Sequence, residues 1–454
     1  MNNKTLFGTE PLGKLLRAQA IPASMGILVM SIYGIVDTIF VGRWVGSLGI
    51  GAITVVMPIT FLIASIGMAI GVGGASIISR AFGENNNQKA YHTFGNQVIL
   101  TLSLAILLVL LGAFFQEEIL NLFGGKGEVL TPASEYFRIL LIGIPFLAWV
   151  MMSNNVIRAE GHPRMAMLTL LVPALVNVVL DPILIIGFDM GIEGAAWATT
   201  LSYIASATYT TWFFLKGGSQ MKLKRSCIQP SVSIIKEIAS IGSVTLARQG
   251  TVSVLAIVLN NSLFSYGGEL SLSTYGIIGR MMMFAVFPVL GITQGFVPIV
   301  GYNYGAKLFQ RVQNLIRISI KSATIIALGI FVCIMFFTPQ IVGIFTKDTL
   351  LIEQAIPALR ITFLATPLIA INLLGSAYFQ AIGKALPALF LTLCKQGFFL
   401  IPLVLILPLW FGLNGIWFAF PIADVGAAGI TYWYLKREMA KSRHKLILET
   451  VEAD

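Results

Sequence analysis

Charge is scarce in this chain. Asp, Glu, Lys and Arg make up 11% of its 454 residues, against about 25% in an average soluble domain, too little to cover a water-exposed surface of ordinary size. Cysteine is equally sparse: Cys227, Cys333 and Cys394 give neither a disulfide framework nor metal-ligand spacing. The three histidines, His92, His162 and His444, all fall in loops, which excludes a buried imidazole relay. There is no phosphate-binding lysine loop and no nucleophile–base pairing, so no enzyme is expected. Any powered process must draw on an ion gradient or a partner protein. The polar first ten residues show no cleavable signal, and the first apolar segment reads as a retained helix.

What the chain has in quantity is apolar sequence: 56% hydrophobic residues and a mean hydropathy of +0.85. The windows 44–79, 90–116, 139–157, 194–215, 249–268, 281–306, 322–346 and 361–383 hold no charged residue. Each is long enough to cross about 30 Å of hydrocarbon as a helix. The reading is an all-α integral membrane protein in contact with the lipid bilayer. The net charge of +10 does not indicate nucleic acid, because the basic residues are scattered through short loops instead of sharing one face.

Apolar runs between polar breaks predict twelve helices, near 16–41, 49–75, 94–115, 134–157, 164–188, 193–215, 239–264, 272–299, 317–338, 357–381, 387–410 and 413–435. This divides the chain into an N-terminal six-helix lobe (1–215), a linker (216–236), a C-terminal six-helix lobe (237–437) and a tail (438–454). With both termini cytoplasmic, most Lys and Arg fall on the inner side, while Arg43, Lys126 and Lys347 are left outside, as the positive-inside rule requires. A bacterial inner (plasma) membrane is the expected location.

The halves repeat each other. At a constant shift of 222, Arg138 meets Arg360, Ile139 meets Ile361, Pro145 meets Pro367 and Gly161 meets Gly383. A parallel repeat of six helices per half implies an axis along the membrane normal, with a substrate path between halves. The echo fails at Asp37 and Asp181, which face Leu259 and Leu403.

Those two acids are the leading functional candidates. Asn177 precedes Asp181 by one helical turn, and Pro182 follows it, disfavouring regular helix. Helix direction places Asp37, Asp181, Tyr136 and Thr199 at one depth in the outer third. A carboxylate in hydrocarbon must be paired, protonated or cation-bound; the nearest bases by depth are Arg43 and Arg138. The alternative is an interhelical lock with no transport role. Arg248, Lys395 and Asp424 of the second half read as a neutralised structural cluster, and Arg280 as structural. Tyr33, Met57, Met68, Met151, Met152 and Asn154 can line a cavity for flat cations or serve as plain filling.

VDTIFVGRWVGSLGIGAITVVMPI, SRAFGENNNQKA, AEGHPRMAM and DMGIEGAAWATTLSY, with GFVPIVGYNYGAKLFQRV and FQAIGKALPALFLTL in the second half, resemble the multidrug and toxic compound extrusion (MATE) family, most closely its MepA-like and DinF-like branch. The resemblance implies two six-helix bundles around a V-shaped cleft and efflux of cationic and amphipathic compounds in antiport with Na⁺ or H⁺. It needs no cofactor beyond that coupling ion, and a monomer is expected to suffice. It carries the family's cation site onto Asp37, Asn177, Asp181 and Thr199 with Tyr136 beside it, and cavity-lining positions onto Tyr33, Asn154 and Asn177. Two other classes share parts of this pattern. A lipid-linked precursor flippase tends toward a cationic cavity and more than twelve helices. A major-facilitator transporter of a metabolite carries an acidic–basic motif between helices two and three, where SIISRAFGENNNQKAYH has none.

Overall fold

The computed structural model describes residues 3–221 and 227–451, nearly all of them helical. Lys222, Lys224 and Arg225 of the basic linker lie outside the described residues. The order is α1 (Asn3–Thr9), α2 (Leu12–Phe40), α3 (Ser47–Gly83), α4 (Asn87–Phe114), α5 (Gln116–Leu122), α6 (Leu130–Ala159), α7 (Pro163–Asp181) and α8 (Gly191–Leu215). It continues with α9 (Val232–Gly305), α10 (Phe309–Phe345), α11 (Thr349–Thr362), α12 (Ile369–Ala381), α13 (Ala385–Leu393), α14 (Ile401–Ile406), α15 (Pro408–Phe411) and α16 (Leu413–Val451).

Among the described residues, ten stretches are long and apolar enough to cross a membrane. The 74-residue α9 counts as two, because Gly268 adopts φ 63°, ψ −159°, outside the helical region. The 25-residue α8 spans about 37 Å at helical rise. Its Thr and Ser residues lower its hydropathy, and five of them, Thr199, Thr200, Ser202, Ser206 and Thr210, are buried. Twelve membrane helices result. The tenth is less regular than its sequence suggests: α11 and α12 are separated by a short 3₁₀ turn at Thr366–Leu368, where Pro367 has no N–H to donate.

The chain divides into two compact units, residues 1–7 with 21–245 and residues 8–20 with 246–454. In the first, α3 and α6 pack backbone to backbone. A Cβ on Gly67 would lie 2.8 Å from the Ala148 carbonyl, and one on Gly71 would lie 2.9 Å from Met152 Cα. Small residues are what allow membrane helices to approach this closely. The Gln97 side chain of α4 donates to the Ile70 carbonyl of α3 at 2.8 Å. The apolar core is formed by residues such as Val56, Phe137, Leu140, Ile144 and Ala196. The second unit has its own core around Leu259, Ile278, Leu359, Trp417 and Phe420.

Three wide, π-type turns interrupt the helices: Val41–Val45, Pro182–Gly187 and Cys394–Leu400. Such turns are rare and concentrate at functional sites. Each lies next to, or contains, a buried charge.

Candidate functional site

Asp37 lies in the last turn of α2, just before the Val41–Val45 turn. Asp181 closes α7 and leads directly into Pro182–Gly187. Because Pro182 cannot donate a hydrogen bond, the regular ladder gives way to i→i+5 pairing, with the Phe188 N–H bonded to the Ile183 carbonyl at 3.0 Å. The two wide turns pack against each other. The carboxyl groups of Asp37 and Asp181 are neighbours, with side chains 8% and 0% exposed.

Around them the first unit gathers oxygen and amide groups. Asn177 is fully buried; its Nδ2 donates to Asp181 Oδ1 at 3.3 Å and to Thr199 Oγ1 at 3.4 Å. The Tyr136 hydroxyl lies beside Thr199. The Tyr33 and Tyr203 hydroxyls pair with each other, close to Asp37. Four helices, α2, α6, α7 and α8, therefore converge on one point. One oxygen on each of three side chains has no hydrogen-bond partner among the described residues: Asp37 Oδ1, Asn177 Oδ1 and Asp181 Oδ2. Ionised carboxylates only accept hydrogen bonds. Two of them face to face in a buried site can persist only if one holds a proton or a cation lies between them.

Neither candidate base neutralises them. Arg43 stands over the Trp44 ring at 5.3 Å. Arg138 is exposed and 4.0 Å from Glu193.

The structure brings together Tyr33, Asp37, Tyr136, Asn177, Asp181 and Thr199, but not Asn154. Asn154 Nδ2 donates to the Ala166 carbonyl at 2.6 Å and to Thr169 Oγ1 at 2.7 Å, and Asn154 Oδ1 accepts from Arg158 Nε at 3.1 Å. It ties α6 to α7 near their connecting loop, about 27 Å along α6 from Tyr136 at helical rise. Asn154, expected from the resemblance to line the cavity with Tyr33 and Asn177, therefore lies apart from the acidic site. Met151 and Met152 are buried filling, with Met152 against Gly71.

Sequence reasoning missed Tyr203 and Thr200. Tyr203 stands one turn after Thr199 on α8, so an i, i+4 reading of that helix would have found it. Thr200 donates to the Ile139 carbonyl at 3.2 Å and fixes α8 on α6. Gly143 of α6 keeps that approach open: a Cβ there would sit 3.2 Å from both Thr200 Oγ1 and Tyr203 Cδ2.

In the second unit, Lys395 Nζ lies 2.6 Å from Asp424 Oδ1, the two side chains 16% and 2% exposed. Arg248 does not join them. It is half-buried and has no hydrogen-bond or ion-pair partner among the described residues, which corrects the three-membered cluster. The guanidinium of Arg280 stands over the Phe345 ring at 5.9 Å.

Among the described residues, twelve membrane helices, two repeated units and a buried acidic site with no base beside it in one of them define a polytopic membrane protein of the carrier type. The MatE family model matches residues 22–183 and 247–406, one block per half, and the chain belongs to that family. A Multidrug export protein MepA from Staphylococcus aureus (strain N315) is 28% identical over 434 residues, covering 95% of this chain and 96% of that one. The MepA of Staphylococcus saprophyticus is also 28% identical, over 421 residues, 92% of this chain and 93% of its own length. Among solved structures, a MATE protein in its bent conformation superposes with a TM-score of 0.93 at 26% identity, over 98% of this chain and 99% of that one.

Proposed function

We propose that the chain is a secondary multidrug exporter of the plasma membrane that expels cationic and amphipathic compounds in exchange for a cation taken up at Asp37 and Asp181. The observation that carries this reading is the pair of adjacent buried carboxyls with no basic partner among the described residues, flanked by the Asn177 oxygen that has no partner among them either. Family membership and the resemblance to MepA proteins, named as multidrug exporters, support the export role.

Either ion fits the chemistry. A proton needs only one of the carboxyls. Sodium needs several oxygens around one point, and Asp37, Asn177, Asp181 and Thr199 offer them. Asn177 and Thr199 have no proton chemistry of their own, so their presence favours a site able to bind Na⁺. Export follows by alternating access: occupation of the site removes the electrostatic conflict between the carboxyls and biases the first unit toward one of its two states. Both termini lie in the cytoplasm by the distribution of Lys and Arg.

The test is drug efflux from reconstituted vesicles under an imposed Na⁺ gradient without a pH difference, then the reverse. Efflux driven by Na⁺ alone, lost in Asp37→Asn and Asp181→Asn, is expected. Efflux that ignores Na⁺ and follows the pH gradient assigns the site to protons. Efflux that follows neither overturns coupling at these acids.

A further inference from the structure

A second cavity, wholly within the second unit and remote in sequence from the acidic pair, has the opposite charge. It opens between α10 and α16 with a volume of about 1030 Å³. Among the described residues its lining includes three cations, Arg317, Lys321 and Lys436, and no acid. None of the three has an ion-pair or hydrogen-bond partner among the described residues, and all are exposed. The carboxylate of Glu438, two residues after Lys436, is engaged by Lys384.

The walls are graded along the helix axes. Gln313 Nε2 donates to the Met439 carbonyl at 3.3 Å and closes one end. About 6 Å further along, at helical rise, Arg317 on α10 is level with Lys436 on the antiparallel α16. Lys321 is one turn deeper, opposite Tyr432. Ile316, Ile320 and Leu435 line the groove between the cations, and beyond Lys321 it continues past Thr324 to Ile325, which is 58% exposed. A cationic rim leading into an apolar groove that opens toward hydrocarbon matches one kind of molecule: a phosphate headgroup at the rim with an acyl chain on Ile320, Ile325 and Tyr432.

We infer that the groove between α10 and α16 is a binding site for an anionic glycerophospholipid of the leaflet facing the C-terminal tail. Basic pockets between membrane helices on the cytoplasmic side favour anionic headgroups, and each Lys or Arg near a membrane surface adds to that attraction. Only the choice of the cytoplasmic leaflet rests on the orientation proposed above. The site does not depend on ion coupling.

The experiment is native mass spectrometry of the full-length protein exchanged into equal phosphatidylglycerol and phosphatidylcholine. The wild type should retain phosphatidylglycerol over phosphatidylcholine by about tenfold or more. The triple variant Arg317→Gln, Lys321→Gln, Lys436→Gln should lose that preference, with Lys321→Gln alone intermediate and Lys14→Gln unchanged. Thermal unfolding of each variant establishes that it is folded, and phosphatidylglycerol should raise the melting temperature of the wild type more than that of the triple variant. Equal retention of both lipids by the wild type, or an undiminished preference in the folded triple variant, overturns the proposal. A separate arm replaces lipid by glycerol phosphate. If that soluble anion stabilises the wild type as fully as the lipid does, and Ile325→Gln keeps its phosphatidylglycerol, the site reads free phosphate and the lipid assignment falls.

Discussion

The two units handle buried charge in opposite ways. In the first, Asp37 and Asp181 face each other with no base among the described residues to neutralise either. In the second, Lys395 and Asp424 neutralise each other directly at 2.6 Å. Both arrangements lie at wide helical turns and both are buried. A matched pair needs nothing more and stays as built. A pair of like charges needs a mobile cation or proton, and its energy changes each time that ion comes or goes. The difference separates a static contact from the site proposed to drive a transport cycle.

The largest effect that tests this contrast is expected at Asp37. Asp37→Asn should abolish coupled export while expression and membrane insertion stay near wild type, because it removes one of two repelling acids and leaves no orphan base. Resistance assays with quantified surface protein check it, and full resistance at normal abundance would end the coupling role. Asp424→Asn should fail in another way. It strands a buried ammonium, with a stability loss of about 3–5 kcal/mol, visible as lower yield and melting temperature. Replacing both partners with apolar residues of similar size, Lys395→Met with Asp424→Leu, should recover most of that loss. A stable, abundant, uncoupled Asp424→Asn protein would instead place this pair in the mechanism and dissolve the contrast.

Smaller effects sharpen the picture of the first site. Asn177→Leu and Thr199→Val should each raise the Na⁺ concentration for half-maximal export by about tenfold, the weight of losing one ligand worth roughly 1.4 kcal/mol. Proton-driven export should change less. Variants that match wild type in both gradients would remove the oxygen cage. The smallest change is expected from Tyr203→Phe, which deletes one hydrogen bond at about 0.5–1.5 kcal/mol. Half-maximal drug or Na⁺ concentrations should move severalfold at most, with no loss of yield. A shift as large as that of Asp37→Asn would make Tyr203 a direct participant.

Much of this was legible in the sequence because a membrane makes composition decisive. With no water to satisfy backbone groups, apolar stretches of sufficient length must be helical. Charge-free windows therefore announced the helices, and the constant shift between halves announced the repeat. Asp37 and Asp181 stood out because an acid in hydrocarbon has few permitted roles, and Asn177 and Thr199 followed from helical phase and depth. Only three-dimensional packing decided the partners. Arg43 and Arg138 match the acids in depth, yet one stacks on Trp44 and the other reaches toward Glu193. Asn154 shares helices with the site but is saturated far along α6, and Arg248 stays apart from Lys395 and Asp424. Depth along a helix is a one-dimensional quantity that spacing reveals. Which side chains meet across helices depends on rotation, wide turns and close glycine contacts such as Gly143 on Tyr203, which only the assembled structure fixes.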